Sequence, residues 1–409
     1  MMYLPRTVEK TVRQASKSFP VLMVTGPRQV GKSTMLEKCA GKNRLTVSLD
    51  GLNQRRLAKT DPALFLQEYP PPILIDEIQY APELFSQIKL YVDQAKKPGL
   101  FWLTGSQKFH LMKNVSESLA GRVAVIDMLG FSYKERTKYA DKNTPFLPTR
   151  QWLAGAKKRS ATPLTISETY KTLWRGSFPK LILDKKMSRE MFYNSYIQTY
   201  IERDVKDFLH ISDTIAFGNF IVAVAARTAQ LLNYADLARD VARDQKTVKA
   251  WLSVLEASGL VKLLQPYHNN ISKRIIKTPK LYFLDTGLAA FLTGWNTPQS
   301  LEKGAMSGAI LETHVFLEIL KSYWHCGCQP NIYFYRDVDN IECDFVLHLD
   351  NTLYPVEVKK TAAPDFRTAK NFTTLERFGK KVGHGMVICF VSEDVPLSKE
   401  VTAVPVGYL

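Results

Sequence analysis

The sequence predicts an α/β protein in four parts: a parallel sheet covered by helices, a helical linker, a winged helix-turn-helix and a second α/β unit. Three observations carry that expectation. Apolar runs of strand length alternate with helical patterns up to about Leu129, which implies a parallel sheet with ligand at the carboxyl ends of its strands. The first of those runs ends in a glycine-rich loop that enters a helix. Near the carboxyl terminus strand-like runs return, two of them joined by a tight turn.

The loop is the most specific signal. Val21 to Thr34 reads VLMVTGPRQVGKST, an apolar run followed by a complete G-x-x-x-x-G-K-[ST] pattern. Gly26 and Gly31 leave room for backbone N–H groups to surround phosphates, so Gly26, Pro27, Arg28, Gln29, Val30, Gly31, Lys32, Ser33 and Thr34 form a candidate nucleoside triphosphate site. Lys32 would lie beside the β and γ phosphates, Ser33 would ligate Mg²⁺, and the helix starting near Lys32 would aim its positive end at the same anion. After Pro71 and Pro72, Ile73 to Asp76 reads as a short buried strand ending in Asp76 and Glu77. There Asp76 would hold Mg²⁺ through water and Glu77 would polarise the attacking water. The next strand, in LFWLTGSQ at Leu100 to Gln107, delivers Thr104, Ser106 and Gln107 to the same edge, with Ser106 and Gln107 the stronger candidates for sensing the γ phosphate and helix capping the alternative. Arg122 is either an arginine finger for a neighbouring subunit or a structural arginine.

At 409 residues the chain is expected to hold two to four domains. A composition of 45% hydrophobic and 23% charged residues is that of a soluble globular protein. The net charge of +16 and a pI near 9.4 favour a polyanionic partner, nucleic acid ahead of an acidic membrane surface. The amino terminus, MMYLPRTVEK, lacks the apolar core of a signal peptide and no uninterrupted apolar run would span a bilayer, so a cytoplasmic protein without a membrane partner is expected. Five scattered cysteines argue against a disulfide framework. His325, Cys326 and Cys328 cluster, and with Cys343 or His348 could bind a metal, but their spacing matches no standard zinc pattern and favours incidental residues.

The parts are expected at 1–130, 131–214, 215–296 and 297–409. Phe131 to Ser167 is polar and basic, as in a lid or linker, and Ser188 to Ile211 has helical spacing. In NYADLARDVARDQKTVKAWLSVLEASGLV, Leu237, Ala238 and Val241 share one apolar face and Val248, Trp251, Leu252 and Leu255 the next, with a turn between them. Gly259 stops the second helix, and strand-like runs at Val261 to Leu264 and Lys280 to Leu284 flank the basic segment HNNISKRIIKTPK. Lys246 and Lys249 on the recognition helix and Lys273, Arg274 and Lys277 in the wing are the candidate DNA contacts; protein packing is the other use of such a module.

In the last part Ile332 to Tyr335, Glu342 to Leu349 and Thr352 to Val358 read as strands, with Asp350 and Asn351 in a hairpin turn. Alternation puts Glu357 and Lys359 on one face, Asp344 lies on the partner strand, and Glu312 approaches from the preceding helix. Together they could hold Mg²⁺ and a hydrolytic water beside a phosphate, or form a salt-bridge ladder on a solvated face.

On Gly26 to Thr34, LIDEIQ at Leu74 to Gln79, LTGSQ at Leu103 to Gln107 and LAGRV at Leu119 to Val123, the first part resembles the AAA+ ATPases of the prokaryotic GPRQVGKS/T branch. The remainder resembles the domain of unknown function that usually follows it, on TYIERDV at Thr199 to Val205, KTPKLYFLDTGLAAFLTG at Lys277 to Gly294, and ECDFVL with PVEVK at Glu342 to Lys359. The terminal part is also similar to the PD-(D/E)xK nuclease superfamily, whose helix glutamate, strand aspartate and E-x-K pattern maps onto Glu312, Asp344, Glu357 and Lys359. These resemblances imply a Mg²⁺-dependent ATPase switch or motor acting on DNA, with a nuclease-like domain that either cleaves or only binds. The alternative is a non-catalytic ATP-binding regulator whose later domains scaffold a protein partner. AAA+ proteins commonly form rings, but the sequence contains no dedicated oligomerisation segment.

Overall fold

The computed structural model describes residues 3–106, 115, 117–159, 164–200, 213–269, 278–337, 339 and 341–409. Its first unit holds strands β1 (Val21–Thr25), β2 (Leu45–Ser48), β3 (Ile73–Asp76), β4 (Phe101–Gly105) and β5 (Val123–Asp127). They form a parallel sheet in the order β2-β3-β4-β1-β5, with Val21 opposite Phe101 on one side and Val123 on the other. β1 and β4 are buried along their whole length, as central strands covered on both faces must be, which is why they read as unbroken apolar runs. Helices α1 (Val8–Ala15), α2 (Lys32–Ala40), α3 (Leu52–Thr60), α4 (Pro62–Glu68) and α5 (Leu84–Ala95) belong to this unit.

The segment expected as a lid or linker forms α6 (Tyr133–Arg136) and α7 (Arg150–Arg159). It packs on the long carboxyl-terminal helix: Phe146 N donates to Ser322 Oγ at 2.9 Å and Tyr323 OH donates to Phe146 O at 2.7 Å. Helices α8 (Ile166–Arg175), α9 (Pro179–Leu183) and α10 (Arg189–Tyr200) follow. Phe178, Phe192, Tyr193 and Tyr196 make an aromatic cluster inside them.

The middle module contains α11 (Thr214–Ala225), β6 (Gln230–Leu231), α12 (Tyr234–Asp240), α13 (Gln245–Ala257), β7 (Val261–Leu264) and β8 (Lys280–Phe283). Its strands pair antiparallel in the order β6-β8-β7. Asn233 and Asp244 cap α12 and α13, and Gly259, at φ 73°, takes the left-handed turn after α13 that a residue with a Cβ adopts at a cost. Next come α14 (Thr286–Leu292), α15 (Pro298–Lys303) and α16 (Ser307–Trp324). Asp285 explains the DTGL motif: it caps α14 at Leu288 N, accepts from Ser177 N and Oγ and accepts from Tyr193 OH, so one carboxylate joins three segments.

The last sheet holds β9 (Ile332–Arg336), β10 (Glu342–Leu349), β11 (Thr352–Val358), β12 (Lys381–Val382), β13 (Gly385–Cys389), β14 (Val395–Pro396) and β15 (Val401–Pro405). The path β14-β15-β13-β11-β10-β9 is mixed, with β9, β10 and β11 antiparallel and β13 and β15 parallel to β11. Asp350 and Asn351 both have positive φ, the geometry the tight β10–β11 turn demands.

A buried carboxylate ties the first unit to the last. Glu135 accepts from Thr7 N at 2.8 Å and Ser132 N at 2.9 Å, and lies 3.1 Å from Arg6 Nε and 3.3 Å from His325 Nδ1. Burial alone would raise its pKa, but the Arg6 guanidinium, the adjoining His325 ring and the Ser132 N–H outweigh it and hold the carboxyl well below the usual 4.5. Removing the partner of a buried cation costs about 3–5 kcal/mol, so Glu135→Ala should destabilise on that scale. A carboxyl with a lowered folded-state pKa contributes fully above about pH 4.5 and loses that contribution as pH falls toward the folded value. The difference in urea midpoint between wild type and Glu135→Gln should therefore be full at neutral pH and shrink below about pH 4.5; a difference independent of pH would contradict the assignment.

Candidate functional site

The predicted loop occupies the carboxyl end of β1. Gly26 is required there, since a Cβ would come within 2.0 Å of Met128 O, and Gly31, at φ 90°, starts α2. Lys32 is buried and its ammonium donates to Gly26 O at 2.9 Å and Pro27 O at 2.8 Å. Ser33 Oγ donates to Asp76 Oδ1 at 2.5 Å, so the two expected Mg²⁺ ligands meet between the first turn of α2 and the end of β3. Mg²⁺ fits here, because a hydroxyl and a carboxylate beside a phosphate loop are the hard oxygen donors it takes. Glu77 follows with φ 56° and accepts from Gln79 Nε2. Thr104 lies behind the acids, donating to Asp76 Oδ1 and accepting from Glu77 N at 3.1 Å. Ser106 is buried, and its hydroxyl has no partner among the described residues. That orphaned donor faces the same cleft as Gly26 and Pro27.

Two cavities flank the loop. One, of about 580 Å³, is bounded by Leu4, Thr34, Met35, Pro179, Leu183 and Phe192, an apolar slot between the amino terminus and α9–α10. The other, of about 400 Å³, has Gly26, Pro27 and Ser106 on one wall and Glu256, Gly259 and Lys262 of the middle module on the opposite wall. The walls touch, because a Cβ added to Gly259 would lie 3.1 Å from Pro27 Cγ. Neither the slot nor the opposite wall was readable from local motifs.

Arg122 sits at the other end of the sheet, where its carbonyl accepts from Val21 N and its guanidinium pairs with Asp93 at 2.5 Å. Gln107 lies outside the described residues, as do Lys273, Arg274 and Lys277. Lys246 and Lys249 are exposed on the first turns of α13.

The carboxyl-terminal candidates face a common pocket. Glu312, Asp344, Glu357 and Lys359 line one pocket of about 670 Å³. Lys359 Nζ donates to Glu357 Oε1 at 2.6 Å, and Val358 N donates to Asp344 Oδ2 at 2.8 Å. Asp344 and Glu357 are only 8% and 4% exposed, which corrects the expectation of a ladder on a solvated face. Burial raises the pKa of Glu312, Asp344 and Glu357, each carboxyl disfavouring ionisation of its neighbour while Lys280 and Lys359 oppose the shift. Lys280 and Glu342, which share the pocket, were missed. Of His325, Cys326 and Cys328, His325 is buried against Glu135 and accepts from Leu129 N, Cys326 is half-buried and Cys328 is exposed, and no group of three metal-ligating side chains exists among the described residues.

Residues 18–137 match the model of an AAA domain, residues 166–299 that of a domain of unknown function (DUF8612), and residues 307–409 that of a domain of unknown function (DUF4143). The chain therefore joins an AAA-type ATPase domain to a DUF4143 region. The uncharacterized protein Rv2008c of Mycobacterium tuberculosis is 29% identical over 99% of this chain and 84% of its own length. The uncharacterized protein MJ1544 of Methanocaldococcus jannaschii is 26% identical over 61% of this chain and 53% of its own. Among solved structures, the Walker-type ATPase PABY2304 of Pyrococcus abyssi aligns over 70% of this chain and 94% of its own at 13% identity, with a TM-score of 0.42. Among the described residues no helix is long and apolar enough to cross a membrane.

Three side chains at the loop have separable expected roles. Lys32→Ala should abolish tight ATP binding, Glu77→Gln should keep binding and stop turnover, and Ser106→Ala should keep binding and lower kcat by about 10²-fold, the usual loss for one buried donor aimed at developing charge. Nucleotide binding by fluorescence and phosphate release check these outcomes, and wild-type turnover in Glu77→Gln would remove it from the mechanism.

Proposed function

We propose that the protein is an ATP-driven switch on DNA: Mg²⁺-ATP binding and hydrolysis in the AAA domain reposition a winged helix and a nuclease-like carboxyl-terminal domain. One observation carries the coupling, the contact of Pro27 in the phosphate loop with Gly259 at the end of α13 across a cleft that also holds Lys262. The adenine and ribose would enter the apolar slot beside Thr34 and Met35, and the triphosphate would lie along residues 26–34. Pro27 has no N–H, so it contributes no donor to the anion site. Lys32, which binds the Gly26 and Pro27 carbonyls, would transfer its donors to phosphate and free the loop segment that touches Gly259. Ser33 and Asp76 would hold Mg²⁺, which supplies charge neutralisation. Glu77, oriented by Gln79, would polarise the attacking water, and the Ser106 hydroxyl would donate to the γ phosphate.

The DNA-binding part of this reading is supported by the basic net charge, by a middle module of three helices and a β6-β8-β7 sheet that is compatible with a winged helix, and by exposed Lys246 and Lys249 at the start of α13. Each phosphate contact contributes about 0.9 to the slope of log K against log salt on duplex DNA. Replacing Lys246 and Lys249 by Ala should thus lower that slope by about 1.8 and weaken binding to many sequences alike. ATP-loaded Glu77→Gln and nucleotide-free protein should differ in DNA affinity by at least about fivefold, the lower range of allosteric coupling. A salt slope near zero in wild type would favour a scaffold for protein partners and sink the DNA reading.

A further inference from the structure

The nuclease-like site contains a cation that its sequence pattern does not include. Lys280 is the first residue of β8 and belongs to the middle module, yet its side chain is 4% exposed and enters the carboxyl-terminal carboxylates. Its ammonium lies 3.1 Å from Glu312 Oε1 and 3.8 Å from Asp344 Oδ1, and it also pairs with Glu342. Several of the neighbouring oxygens have other donors. Asp344 Oδ2 takes the Val358 N–H, Glu357 Oε1 takes Lys359 while its buried Oε2 has no partner among the described residues, Glu312 Oε1 also accepts from Tyr282 OH at 2.6 Å, and Arg336 approaches Glu342 at 3.8 Å. A divalent cation shared by Glu312 and Asp344 does not fit this arrangement, because the oxygens that would bridge it face the Lys280 ammonium and no three-ligand group is assembled among the described residues.

We infer that Lys280 is an internal counter-cation that closes the Glu312–Asp344–Glu357 site to divalent metal while the middle module is docked, so that removing its charge opens an Asp344-dependent cation site. The electrostatics require some such cation. Clustered buried carboxylates repel one another and are stable only when neutralised, and a lysine or a metal ion serves equally. The two are mutually exclusive in the same oxygens. An ammonium carried by a neighbouring module differs from a bound ion in that it cannot dissociate, and it is withdrawn by movement of its side chain or of β8. This inference deepens the reading of the carboxyl-terminal site, but its test measures cation occupancy and not cleavage or DNA binding, so either can fail without the other.

Mn²⁺ is the probe, added to nucleotide-free full-length protein, with thermal unfolding as the readout. Wild type should show only the background response shared with the double variant Lys280→Met/Asp344→Asn, which subtracts any Mn²⁺ bound at the phosphate loop. Lys280→Met should melt lower than wild type without metal and be raised by saturating Mn²⁺ by about 4 °C or more beyond that background, since a ligand bound only to the native state stabilises it. Lys280→Arg, which keeps the cation, should not gain the response. Should Lys280→Met fail to fold, Lys280→Met/Glu312→Gln removes one charge of each sign, and its Mn²⁺ affinity by electron paramagnetic resonance titration should exceed that of wild type at least tenfold. An Asp344-dependent Mn²⁺ site in wild type as tight as in the variants overturns the inference, as does the absence of any gain in both variants.

Discussion

The buried charge of Glu135 is the constraint on which the relative placement of the parts depends. Its oxygens hold Thr7 N and Ser132 N and face Arg6 and His325, residues from the amino terminus and from the end of α16. Arg6 in turn donates to Val30 O inside the phosphate loop and to Leu129 O just after β5. A carboxylate so placed is tolerable only when fully paired, and each partner is fixed by the need to satisfy it. The phosphate loop is thus braced by the same network that anchors α16. A second buried pair repeats the arrangement: Lys321 Nζ donates to Phe131 O at 2.9 Å, and Glu318 accepts from Tyr133 N at 2.8 Å.

The nucleotide site was legible because its chemistry is local. A phosphate loop needs glycines, a lysine and a hydroxyl within one turn of chain, and the parallel sheet brings the ends of β3 and β4 beside it by topology alone. Asp76, Glu77 and Ser106 could be read from apolar runs ending in polar residues. Thr104, ranked behind Ser106, proves to support Asp76 from behind, a distinction set by strand alternation and not by residue type.

What escaped the sequence is long-range. Lys280 stands before an apolar run, and nothing around it signals that its ammonium meets Glu312, more than thirty positions later, and two acids on β10. Glu256 and Lys262 look like ordinary surface charges of a helix and a strand until the fold sets them opposite Pro27. The polar stretch after Phe131 reads as a linker because its few large apolar residues, Phe146, Trp152 and Leu153, are widely spaced, yet all three are buried. β13 and β15 carry no alternation because they are covered on both faces, and a short apolar run in isolation does not reveal its partner.

The two candidate sites share one piece of backbone. β7 bears Lys262 at the nucleotide cleft, β8 begins with Lys280 at the carboxylate cluster, and the pair is in register with Lys262 opposite Tyr282 and Leu264 opposite Lys280. Tyr282 itself donates to Glu312 and stacks on Phe316 of α16 at 4.3 Å between centroids. β8 is buried throughout, so it has no slack through which a shift of β7 could dissipate. Close-packed elements move as units between discrete arrangements, and a hairpin with one strand at each site is a physical route by which the state of one is felt at the other. The stiffness that hides Lys280 from solvent is therefore also what would make its position depend on the loop around Gly26 and Pro27.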